Sequence, residues 1–96
     1  MAEWSLFTNH ANVLLAITRN PDIRLRELAA EVGISERAVK RIVADLERAG
    51  YIQRERHGRR NHYEINTQAA VATPVARGVQ LGALIAVLVP MLTQSL

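Results

Sequence analysis

The chain is 96 residues long, the size of one domain. Hydrophobic residues make up 49% and charged residues 22%, a balance that excludes wholesale disorder. There is no cysteine, so disulfide stapling and thiolate metal sites are excluded, which fits a reducing cytoplasm.

The net charge is only +3, but it is unevenly placed. Residues 37–60 carry eight of the twelve basic side chains and three of the nine acidic ones. Residues 1–36 are net −2 and residues 61–96 are neutral. On charge alone, such a block fits a polyanionic partner or a solvated arginine-rich face. The start, MAEWSLFTNH, has no basic stretch before an apolar run and does not read as a signal peptide.

In residues 4–18 the set Leu6, Phe7, Ala11, Leu14, Leu15 and Thr18 follows the spacing of one helix face. Asn20-Pro21-Asp22 then breaks the chain, because proline disfavours helix in the residue before it. Residues 24–32 place Leu25, Leu28, Ala29 and Val32 on one side, a short amphipathic helix. Gly33 follows, where a left-handed cap suits glycine. Ser35 is a good N-cap for a third helix, whose stripe is Val39, Ile42, Val43, Leu46 and Ala49, ending at Gly50. Two helices joined by so short a turn must cross steeply, as in a helix-turn-helix.

The period then changes. Residues 51–56 and 62–65 read as strands, with Tyr63 and Ile65 alternating with His62 and Glu64. Between them His57-Gly58-Arg59-Arg60-Asn61 makes a basic hairpin tip. The tail, residues 73–96, is expected to be helical, with Thr73 as cap and Pro74 in its first turn. It is uncharged from Gly78 onward, and Pro90 should end or kink it. The expected fold class is mainly α with a small β-hairpin. Residues 1–72 form the main unit, and residues 73–96 form an apolar helical element.

Residues 25–65 resemble the DNA-binding core of winged helix-turn-helix transcription regulators, most closely the MarR and ArsR type. The resemblance rests on Leu28-Ala29, Gly33 and Ser35 in the turn, Val39 and Leu46, the exit Gly50-Tyr51-Ile52, and Gly58-Arg59-Arg60 with Tyr63. It covers a little under half the chain. It implies a sequence-specific regulator of double-stranded DNA. ArsR-type relatives often sense metals through Cys or His clusters; here there is no Cys, and His10, His57 and His62 are scattered.

Under that reading a helix over about 35–49 lies in the major groove, where base edges carry a distinctive donor and acceptor pattern. Its outer face presents Ser35, Glu36, Arg37, Lys40, Arg41 and Asp45. Arg37, Lys40 and Arg41 donate to guanine or phosphates. Ser35 bonds a phosphate or base edge, and Glu36 accepts from cytosine or merely favours the helix N-terminus. Arg48 reads as a structural charge at the helix end. The basic wing, residues 54–62, brings Arg59 and Arg60 to the backbone or a narrow minor groove. Arg54 and Arg56 flank it, one face toward DNA and the other toward solvent.

The apolar tail suggests a homodimer formed through the C-terminal and first helices, which brings two reading helices to successive turns of DNA. Its rival is a membrane segment, but Gln80, Pro90, Thr93, Gln94 and Ser95 dilute it below what a bilayer requires. A protein-interaction adaptor is the alternative for the domain, but it would not need arginines on both helix and wing. No phosphate-cradling glycine loop, paired carboxylates in an apolar setting, or nucleophile with a base is found. Neither catalysis nor a cofactor is expected, and no effector can be named.

Overall fold

The computed structural model describes residues 7–58, 60–71, 75 and 78–94, the last four without their side chains. Three helices form the first half: α1 (Asn9–Arg19), α2 (Leu25–Val32) and α3 (Glu36–Arg48). Each begins or ends on a local signal. Thr8 caps α1, its hydroxyl accepting from Ala11 N at 3.2 Å. Ser35 caps α3, accepting from Ala38 N at 3.1 Å. After α3, Gly50 adopts φ +80°, so Gly50 N reaches Glu47 O and Tyr51 N reaches Leu46 O, both at 3.0 Å. This Schellman closure satisfies helix-end carbonyls that would otherwise lack partners. Gly33, at φ +81°, ends α2 in the same way, with Ile34 N donating to Ala29 O at 3.1 Å.

The expected first helix thus starts later than the sequence suggests. Phe7 and Thr8 precede it, and the expected residues 4–6 lie outside the described residues. Its deepest side chains, Val13 and Ile17, also lie off the expected stripe. α1 has two apolar faces. Val13 and Ile17 enter the core, Ala11 and Leu15 line the groove toward the tail helix, and Leu14 belongs to both.

The helices pack mutually around Leu28, Val39, Ile42, Val43 and Leu46, all buried. Strands β1 (Ile52–His57) and β2 (Arg60–Ile65) form the antiparallel hairpin. Ile52 and Tyr63 close the core beneath it. Removing Leu28, with no exposed surface, should cost about 2–5 kcal/mol as Leu→Ala.

The tail departs from expectation. Two short strands, β3 (Ala70–Val71) and β4 (Val79–Gln80), pair antiparallel. Helix α4 (Leu81–Gln94) starts only after them, so residues 79–80 are strand rather than helix. The proposed cap Thr73 and first-turn Pro74 lie outside the described residues. Docking fixes the true start. Leu81 N donates to Ala69 O at 2.8 Å and Gly82 N to Thr67 O at 2.7 Å, giving the first amides of α4 their acceptors. Leu81 is buried in the same core as the other helices. The helix also continues past Pro90 to Gln94 rather than ending there.

Candidate nucleic-acid interface

Burial of Val39, Ile42, Val43 and Leu46 turns the opposite side of α3 outward. Glu36, Arg37, Lys40, Arg41, Ala44 and Arg48 are exposed. Ser35, Arg37 and Arg41 line one shallow groove at the start of the helix. Ser35 accepts from Ala38 N, which leaves its own proton to donate. Ala44 was not singled out from sequence, yet it is a small exposed residue between the cations, and such a methyl can approach a thymine methyl.

The electrostatics sort the arginines. Arg48 pairs with Asp45, and Arg54 reaches Glu47 at 3.5 Å. Arg37, Lys40 and Arg41 have no ion pair among the described residues. Asp45 is not part of the reading face. It accepts from His10 Nε2 on α1 at 2.9 Å, and this hydrogen bond, followed by that of Arg48, lowers its pKa. The acid expected on the outer face is half-buried and shared between His10 of α1 and Arg48 of its own helix.

In the hairpin, Arg54 stands opposite Tyr63 and Arg56 opposite Asn61. Residues two apart share a strand face, so Arg54 and Arg56 lie on the same side of the hairpin. Arg56 Nε donates to Gly58 O at 3.1 Å, bracing the tip with one of its donors. Gly58 takes φ +63°, and His57 pairs with Arg60 across it, so the turn is tighter than the five residues expected. Arg60 is exposed on β2, whereas Arg59 lies outside the described residues.

The wing is tied to the body from two sides. Tyr63 N donates to Pro21 O at 2.9 Å, and His62 Nδ1 lies 2.8 Å from Asp22 Oδ1. That hydrogen bond, with smaller contributions from Glu64 and Glu55, raises the His62 pKa against the opposing effect of desolvation. Burial raises the Tyr63 phenol. His57 and His62, distant from His10, stack with ring centroids 5.3 Å apart. Among the described residues no group of three or more such side chains is placed to hold a metal.

A helix-turn-helix followed by a two-stranded wing, with free cations on the second helix, defines the class: a winged helix-turn-helix protein. Residues 7–53 match the family of winged helix-turn-helix DNA-binding domains. Two solved structures share the fold. The PcaV transcriptional regulator from Streptomyces coelicolor, solved with its natural ligand, is 24% identical, with 68% of this chain covered and a TM-score of 0.53. A MarR protein from Peptoclostridium difficile is 16% identical, with 94% covered and a TM-score of 0.62. The matches cover 48% and 53% of those chains, so this chain spans about half their length. No curated protein matches in sequence. The fold is therefore that of MarR-type regulators, as the sequence resemblance implied. Among the described residues no helix is long and apolar enough to cross a membrane.

Proposed function

We propose that the chain is a sequence-specific, double-stranded DNA-binding transcription regulator of the cytoplasm. α3 enters the major groove, where Arg37, Lys40 and Arg41 meet base edges and phosphates. Ser35 and Glu36 sit at its entering end. The wing, with Arg54, Arg56, Arg59 and Arg60, lies on the backbone or in the minor groove. The observation that carries this reading is the sorting of charges on α3: Arg48 pairs with Asp45, whereas Arg37, Lys40 and Arg41 on its outward face have no ion pair among the described residues. Uncompensated cations on an exposed helix of groove-fitting width suit a polyanion.

Residues 1–72 act as the DNA-binding unit and residues 73–96 as the dimerisation element. α4 carries no charge, and Leu84 and Val87 remain exposed on it. Beside it an apolar groove of about 400 Å³, lined by Phe7, Leu15, Leu84, Ile85 and Leu88 among others, separates it from α1. A second copy would cover this surface and give the two-fold arrangement in which paired reading helices meet successive turns of DNA.

Affinity for duplex DNA should fall steeply with salt, because each phosphate contact releases counterions. A flat salt response would favour the adaptor reading. Sedimentation should give a dimer at micromolar concentration, and a monomer throughout would remove the role assigned to α4.

A further inference from the structure

Beside the wing lies a hollow of about 440 Å³ that joins Arg60 of the wing to the turn between α1 and α2, a segment given no part in DNA contact so far. Asp22, Ile23, Arg24 and Leu25 form one wall, and Arg60 and Asn61 of β2 form the other. The bond from Tyr63 N to Pro21 O fixes the edge of β2 against the turn between α1 and α2. Beyond it strand and turn diverge, and the hollow opens.

Its charges are unbalanced. Arg24 and Arg60 are exposed, and neither has an ion pair among the described residues. The nearby acids are engaged: Asp22 Oδ1 with His62 Nδ1 at 2.8 Å, and Glu27 Oε1 with the backbone N–H of Arg24 at 2.9 Å. Two arginines thus line one hollow, and their planar guanidinium forks match phosphate oxygens. The Asn61 amide adds neutral donors.

We propose that this hollow holds one phosphate group of the DNA backbone, shared by Arg24 and Arg60 with help from Asn61. The proposal rests on the DNA reading above and adds a contact from the net-acidic first third of the chain. A phosphate held there fixes the domain on the duplex at a point separate from the α3 cations. It adds affinity and register but no base preference.

The test compares wild type with Arg24→Gln, Arg60→Gln and the double variant, by fluorescence anisotropy across a salt series. Each single variant should lower the magnitude of the salt slope by about 1 on every sequence. Because one phosphate is shared, the double variant should lose less than the sum of the two. Replacing single phosphates by neutral methylphosphonates should reveal one position that weakens wild type but leaves Arg24→Gln unaffected. Circular dichroism melts confirm that Arg24→Gln folds. An unchanged Arg24→Gln beside a DNA-binding wild type overturns this proposal alone, and a wild type that binds no duplex overturns the DNA reading itself. If inorganic phosphate at constant ionic strength perturbs Arg24 and Arg60 while no phosphonate position matters, the hollow takes free anions and the backbone assignment is wrong.

Discussion

Gly82 is a point of close approach between the tail helix and the turn at Thr67. A Cβ at this position would lie 2.9 Å from Thr67 Cβ and 3.0 Å from Thr67 O. Neither atom can rotate away, since one is fixed by its own backbone and the other belongs to it. Gly82 N already donates to that oxygen at 2.7 Å, so an alanine would push the helix start off its acceptor. Two effects oppose each other in Gly82→Ala. Overpacking costs about 1–3 kcal/mol, and a weakened hydrogen bond adds up to about 1 kcal/mol. Alanine gains at most about 1 kcal/mol over glycine in helix propensity, and less at this second helical position than in the interior. The clash should win, with a net loss of about 1–2 kcal/mol. For a domain this small, each kcal/mol lowers Tm by about 4–8 °C. Thermal melts at fixed protein concentration measure it, because the proposed dimerisation would make Tm concentration-dependent. A Tm that stays or rises would refute the close approach of α4 to the turn at Thr67.

Other outcomes follow from single groups. Ser35→Ala removes the acceptor for Ala38 N and should cost about 0.5–2 kcal/mol in urea unfolding; a loss below that range would mean the cap contributes nothing. Arg41→Ala should relax base preference by about 1–3 kcal/mol at one position, whereas Arg59→Ala should weaken all sequences alike; equal losses on every sequence for both would end the base-reading role of Arg41. His62 has a folded pKa raised above 6.5 by Asp22. Its stabilising contribution is therefore fully present below 6.5 and is lost as pH rises through the folded value. The stability gap between wild type and His62→Gln should accordingly narrow as pH rises above 6.5, and a gap independent of pH would contradict that linkage.

The helix-turn-helix was legible in the sequence because its signals are local. Ser35, Gly33 and Gly50 announce helix ends within a turn of where they act, and four of the five expected α3 stripe positions are buried, Ala49 alone being exposed as the C-cap. What escaped depends on residues far apart. The start of α4 is set by Gly82 meeting Thr67 and Leu81 meeting Ala69, which no helix cap signals. Pairing of residues 70–71 with 79–80 is too short to leave a two-residue alternation. Asp45 looked like part of the reading face because α3 alone puts it near the edge, and only His10 from α1 shows which way it turns. Arg24 and Arg60 lie on different elements, and only the fold brings them to one hollow. Ala44 gave no signal beyond its position on the outward face.

The central claim is that α3 and the wing select a duplex sequence as a two-fold pair. Selection of bound fragments from random duplex DNA tests it most directly. The account predicts an enriched inverted repeat, with half-sites about one helical turn apart and a preference that weakens at one position in Arg41→Ala. Recovery of fragments with no shared sequence, or of a single unrepeated site, would contradict it.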